Sequence, residues 1–186
     1  MSSSTGSDRR AGLVVWLTGL SASGKSTLAN AIAVVLRAEG QTVVLLDGDV
    51  LRAGLCRDLG FSESDRMENV RRAGSVAALL AESGVICIAA LISPFAASRE
   101  AVRMRVPAGR FLEVFVDAPL EVCERRDPKG LYARARRGEV LSFTGVSSPY
   151  ESPVAPECVV RTGEISVADA TARILEKIRR LREGSV

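Results

Sequence analysis

The sequence predicts an α/β domain, a parallel five-stranded sheet with helices on both faces, and three observations carry that expectation. Short apolar, β-branched runs alternate with helical stretches along the chain. These runs are apolar almost throughout, as strands covered on both faces are, instead of alternating with polar residues. The 186 residues, 47% of them hydrophobic, suffice for one domain with a full-sized core.

Leu13–Thr18 (LVVWLT) is the first buried strand. A helix follows from Lys25 to about Glu39, closed by Gly40, which accepts the left-handed backbone of a helix terminus. Val43–Leu46 is the second strand and runs into Asp47-Gly48-Asp49. Asn69 to Ala81 reads as a helix that stops near Gly84; Val85–Leu91 is the third strand and Phe111–Val116 the fourth. Pro119 suits the first position of a helix carrying Leu120, Val122 and Cys123. Cys158–Arg161 is a short last strand, and Val167 to about Arg182 an amphipathic terminal helix. Residues 1–10 are polar and read as a flexible tail, leaving 11–186 as one domain. The segment from Arg125 to Pro156 breaks the pattern: rich in Arg, Gly, Ser and Pro, it reads as a lid at the mouth of the sheet.

Composition narrows the chemistry. Twenty-five Lys and Arg against 22 Asp and Glu leave a formal charge of +3, which suits small anionic substrates and is too diffuse for nucleic acid. The sequence has no histidine, which excludes a Ser-His-Asp triad, a histidine base and histidine metal ligands. Cys56, Cys87, Cys123 and Cys158 form no C-x-x-C pair and read as reduced thiols of a cytoplasmic protein. Glu82, Ser83 and Gly84 interrupt the apolar region from Ala73 to Ser98, so no membrane span is expected.

The first strand runs directly into Gly19-Leu20-Ser21-Ala22-Ser23-Gly24-Lys25-Ser26-Thr27, a G-x-x-x-x-G-K-[ST] loop in its required strand–loop–helix setting. Gly19 and Gly24 let the backbone amides turn inward around phosphate oxygens at the positive end of the helix. Lys25 is placed to reach the β- and γ-phosphates of ATP, and the Ser26 hydroxyl to ligate Mg²⁺. Asp47 and Asp49 leave the second strand at the carboxyl edge of the sheet, beside this loop. A helix starting near Asp49 would put Asp49 and Arg52 on one face, a base candidate next to an anion clamp.

Further ordered motifs follow. They are Asp58-Leu59-Gly60-Phe61-Ser62, Asp65-Arg66-Met67-Glu68-Asn69-Val70-Arg71-Arg72, Ile92-Ser93-Pro94-Phe95, Lys129-Gly130-Leu131-Tyr132, Phe143-Thr144-Gly145 and Pro149-Tyr150-Glu151. With the P-loop and Asp47-Gly48-Asp49 they stand in the order and spacing of the adenylylsulfate (APS) kinases, which the chain resembles from about Gly12 to its terminal helix. The resemblance implies the P-loop kinase fold, a homodimer, and transfer of a phosphoryl group from MgATP to the 3′-hydroxyl of adenosine 5′-phosphosulfate (APS). It also allows association with an ATP sulfurylase.

It implies, too, that Arg52, Arg66 and Asn69 hold the phosphosulfate, that Phe61 and Phe143 sandwich the APS adenine, and that Lys129 faces APS. Arg126, in the cationic run from Arg125 to Arg137, is the candidate for contacting ATP. Phe61 and Phe143 sit in polar segments, where neither reads as a core residue. Without histidine, Asp49 is the expected base and Asp47 the group on the Mg²⁺ hydration shell, roles the sequence alone leaves interchangeable. Ser93, which family descriptions label a phosphoserine, has no adjacent base, so a structural or substrate-positioning role is expected of it. The chain departs from the family pattern at Ala53, Cys56, Ala133 and Ser147-Ser148, none of them a proposed catalytic position. Rival readings are a P-loop kinase of another small hydroxyl compound and a silent nucleotide-binding homologue; the stacking pair speaks against the first and the intact Lys25, Ser26, Asp47 and Asp49 against the second.

Overall fold

A computed structural model describes residues 12–183. Five strands form one parallel sheet: β1 (Leu13–Thr18), β2 (Val43–Asp47), β3 (Ile86–Ala90), β4 (Phe111–Asp117) and β5 (Cys158–Arg161), in the order β2-β3-β1-β4-β5. Between them run α1 (Lys25–Ala38), α2 (Gly48–Ala53), α3 (Glu63–Glu82), α4 (Ala96–Arg103), α5 (Leu120–Arg126) and α6 (Leu131–Arg136), with α7 (Val167–Glu183) at the end.

β1 shows how the two layers arise. All six of its residues are buried, and successive side chains point to opposite faces. Leu13, Val15 and Leu17 join the core under α1 and α7, which contribute Leu28, Ile32, Ile174 and Ile178. Val14 and Trp16 join the opposite core with Val70 and Ala73 of α3 and Val102 of α4. Fully burying each of these aliphatic side chains contributes about 1.5–3 kcal/mol, so β1 is a main source of stability as well as the stem of the loop that follows it.

The structure refines several expected boundaries. β2 and β4 each run one residue further, to Asp47 and Asp117, and β3 is trimmed to Ile86–Ala90. α3 begins at Glu63 instead of Asn69, because Ser62 caps it by accepting from the Asp65 amide at 3.2 Å, while the first turn is polar and carries little apolar period. Pro119 (φ −52°, ψ 146°) is the residue before α5, not its first residue. α4 has no counterpart in the expected elements. Its first amide, on Ala96, donates to the carboxylate of Glu151 at 2.6 Å, a cap delivered from 55 residues away. The segment expected as a lid holds α6 and a bridge between Thr144 and Ser148. The expected tail at residues 1–10 lies outside the described residues. Among those described, no helix is long and apolar enough to cross a membrane.

Candidate active site

The P-loop joins β1 to α1 at the carboxyl edge of the sheet. Gly19 adopts φ 149°, and a Cβ there would lie 2.5 Å from the Val116 carbonyl, so the loop can leave the sheet this tightly only with glycine. The start of α1, at Gly24, has no side-chain cap, which leaves its amides facing the cavity as an anion cradle. The buried Lys25 ammonium donates to the carbonyls of Gly19 (2.9 Å) and Leu20 (2.6 Å). Burial pulls its pKa down from 10.5 to about 8.

Ser26 donates to Asp47 at 2.6 Å, and the other oxygen of that carboxylate accepts from the Asp49 amide at 2.9 Å. One side chain therefore fixes the first turn of α2 and reaches the P-loop. Among the described residues no group of three or more His, Cys, Asp or Glu could hold a metal by itself. A hydroxyl beside a single carboxylate, at a phosphate cradle, nevertheless fits Mg²⁺, which keeps several waters and takes its remaining oxygens from substrate phosphates. Asp49 is ion-paired with Lys129, which arrives from the loop between α5 and α6.

Opposite the P-loop, Arg52 donates to the carbonyls of Leu59 (3.3 Å) and Gly60 (2.8 Å), and its guanidinium lies 4.3 Å from the centre of the Phe61 ring. Arg66 donates to the carbonyls of Phe61 (3.0 Å) and Ser142 (2.7 Å), tying the two phenylalanine-bearing segments together. Arg66 and Asn69 are both buried on one face of α3. The Asn69 Oδ1 and the Thr144 hydroxyl are buried with no hydrogen-bond partner. Such groups are costly to leave unpaired, and both residues line the cavity.

That cavity, about 1200 Å³, brings most of the sequence-predicted residues together. Ser21, Ala22, Gly24, Lys25, Ser26 and Thr27 line it from the P-loop side, with Asp47 and Asp49 at the edge of the sheet. Arg52, Phe61, Arg66, Asn69 and Phe143 line the opposite side, and Ser93, Arg126 and Lys129 complete the set. Gly19, Leu20 and Ser23 do not line it: Ser23 is fully buried, and Leu20 packs into the apolar cluster beneath the lid segment. Arg126 sits against the loop, donating to the carbonyls of Ser23 (3.3 Å) and Thr162 (2.5 Å). Thr162 in turn donates to Ser23 O at 2.7 Å. Nothing near Thr162 in the sequence marks it, because the contact depends on where β5 ends.

Phe143 departs from the sequence expectation. Phe61 is exposed, but Phe143 is 7% exposed and meets Tyr132 edge-on at 4.9 Å, so it is a core residue as well as a wall of the cavity. Its burial comes from Tyr132 on α6, within the segment expected as a lid. Cys56, Cys87, Cys123 and Cys158 are all free and buried.

Ser93 adopts φ 40°, a left-handed conformation that costs a residue with a side chain about 1–3 kcal/mol. Its hydroxyl accepts from Trp16 Nε1 at 3.1 Å and donates to Thr18 Oγ1 at 2.9 Å. Arg99 holds its carbonyl at 2.8 Å.

The family model described as adenylylsulphate kinase matches residues 11–161. The chain belongs to the adenylylsulphate kinase family. The adenylyl-sulfate kinase of Bacillus pumilus (strain SAFR-032) is 55% identical to it over 166 residues, covering 89% of this chain and 84% of that one. The bifunctional enzyme NodQ of Azospirillum brasilense is 56% identical over 168 residues, which are 90% of this chain and 27% of NodQ. The solved structure of the Mycobacterium tuberculosis APS kinase CysC in complex with AMPPNP and APS superposes with a TM-score of 0.87 at 44% identity, over 91% of this chain and 98% of that one. In this adenylylsulphate kinase fold, the P-loop and the arginine–phenylalanine wall face each other across one cavity.

Proposed function

We propose that this chain is an adenylyl-sulfate kinase that transfers the γ-phosphoryl of MgATP to the 3′-hydroxyl of APS, giving 3′-phosphoadenosine 5′-phosphosulfate (PAPS) for sulfate assimilation. The observation that carries this reading is the two-ended cavity. A phosphate cradle at Gly24–Thr27 shares one cavity with two guanidinium groups and two phenylalanine rings, and Asp49 lines the same cavity. A phosphate loop alone would serve any nucleotide; the opposite wall suits a second, anionic and aromatic molecule.

In the proposed reaction Asp49 accepts the proton of the 3′-hydroxyl. The freed oxygen bonds to the γ-phosphorus in line, and the bond from that phosphorus to the β-bridging oxygen breaks to release ADP. The Lys25 ammonium offsets the charge that gathers on the transferred group and on the β-phosphate. Ser26 and Asp47 would hold Mg²⁺, which lends positive charge to the phosphates when bound. Arg52, Arg66 and Asn69 fix the phosphosulfate and the phenylalanines hold the adenine, so the hydroxyl is presented without a covalent enzyme intermediate. Closure of the segment from Arg125 to Pro156 as a lid would keep water from the γ-phosphate.

The same reading includes a homodimer, a cytoplasmic location supported by four free buried thiols, and association with an ATP sulfurylase. NodQ, described as bifunctional, carries its matching stretch within a longer chain. Coupled measurement of ADP release from MgATP tests the assignment: release should depend on added APS. Release at the same rate without APS, or with an unrelated sugar acid, would overturn it.

A further inference from the structure

Tyr132 makes two contacts that belong to different halves of the cavity. It is 2% exposed on α6, and its hydroxyl donates to the carbonyl of Ser21, in the P-loop, at 3.0 Å. Its ring packs against Phe143 with centroids 4.9 Å apart and planes at 80°, the edge-to-face geometry that aromatic quadrupoles favour. Burial pushes the phenol pKa up, so at neutral pH the hydroxyl keeps the proton it donates. Leu20 and Ala22, on either side of Ser21, pack with Tyr132 and Phe143 in one apolar cluster that is separate from the two cores of the sheet. Beyond Phe143 the connection continues: Arg66 holds the carbonyl of the preceding residue, Ser142, and the carbonyl of Phe61, so one guanidinium bonds to both ring-bearing segments.

We infer that Tyr132 is a positioning residue that couples the two substrate subsites, so that ordering of the P-loop around a nucleotide tightens the aromatic wall that receives the acceptor. The inference rests on the proposed reading that Phe143 faces APS. A phosphate chain that draws the loop amides inward fixes Ser21; Ser21 fixes the Tyr132 hydroxyl; the ring then restricts Phe143 to the rotamer that faces the cavity. Tyr132 touches neither substrate in this scheme. Its effect is a coupling free energy, which is reciprocal between the two ligands.

Tyr132→Phe tests this, because it keeps the ring on Phe143 and removes the hydroxyl that bonds Ser21 and also meets the buried Cys123 thiol. The affinity for APS is measured by calorimetry without and with saturating AMPPNP, a nucleotide that cannot be turned over, for the wild type and the variant. The wild type should bind APS more tightly with AMPPNP present. In the variant that gain should shrink by about three- to tenfold, the equivalent of one hydrogen bond, while APS affinity without nucleotide stays within about twofold. The reverse cycle, AMPPNP affinity without and with APS, must shift by the same factor. A purely structural Tyr132 would lower the melting temperature and leave the gain intact, which overturns the inference, as does a wild type whose APS affinity ignores AMPPNP. Failure of the wild type to bind APS at all would instead overturn the proposed function, and this inference with it.

Discussion

The hydroxyl of Ser93 lies 2.9 Å from that of Thr18 and donates to it, while Trp16 Nε1 donates to Ser93 from the other side. Thr18 also meets the Tyr150 hydroxyl at 2.9 Å. The serine is therefore engaged in a buried network joining β1, the turn after β3 and Tyr150 of the segment from Arg125 to Pro156. It is 2% exposed. Ser93→Ala should keep turnover within about tenfold of wild type and lower stability by about 1–3 kcal/mol, because Trp16 and Thr18 lose a buried partner. Steady-state kinetics and thermal unfolding read both effects. Abolished turnover, together with a phosphoserine at position 93 formed from ATP alone, would restore the covalent route.

Asp47 and Asp49 sit in different surroundings, and the proposed roles follow that difference. Asp47 takes the Ser26 hydroxyl; Asp49 takes Lys129. Asp49→Asn should reduce kcat by about 10²–10⁴, as loss of a general base does, with AMPPNP affinity almost unchanged. Asp47→Asn should mainly raise the Mg²⁺ concentration needed for half-maximal rate. A magnesium titration of both variants decides, and the reverse pattern would exchange the two assignments.

Lys25 makes the reaction sensitive to alkaline pH. Its folded-state pKa of about 8 lies below the 10.5 of an unburied lysine. Above pH 8 the free enzyme loses this positive charge, so kcat/KM for ATP should fall about tenfold per pH unit. Stability moves the other way. Between pH 8 and 10.5 the unfolded chain binds more protons at this site than the folded one, so wild type should gain stability relative to Lys25→Met as pH rises through that window. Denaturant unfolding at the two ends measures the change. A flat kcat/KM profile through pH 8 would contradict the assigned charge state.

The Arg99–Glu113 pair is expected to matter far more than the exposed ion pairs. Arg99 reaches Glu113 at 2.8 Å with side-chain exposures of 3% and 11%. It also donates to the carbonyls of Ser93 and Glu151. Arg99→Met leaves the buried Glu113 carboxylate with Arg103 alone, at 3.2 Å, and should cost about 1.5–3 kcal/mol. Arg136→Met, which breaks the exposed pair with Glu124, should cost less than about 1 kcal/mol. Urea denaturation of both variants gives the comparison; equal losses would sink this view of the network.

What could be read from the sequence follows the range of the forces involved. The strands were legible because continuous apolar runs such as LVVWLT report two-sided burial locally. The P-loop was legible because its glycines, lysine and serine act within nine consecutive residues. The ends of helices whose caps come from elsewhere were not: α4 receives its cap from Glu151, and no residue near Ala96 announces it. The burial of Phe143 was hidden for the same reason, since it depends on Tyr132 and on the short α6, whose length leaves little periodicity to detect. The place of Thr162 beside the P-loop follows from strand order, with β5 next to β4, and that order is a property of the sheet as a whole.

In the proposed reaction one cavity orders ATP at the P-loop and the 3′-hydroxyl of APS beside Asp49. The most direct measurement is identification of the product by mass and phosphorus NMR after incubation with MgATP and APS. The product should be heavier than APS by one phosphoryl group, carried on the 3′-oxygen, and formed in step with ADP. Phosphate released to water, or a phosphoryl group on any other oxygen of the acceptor, would contradict it.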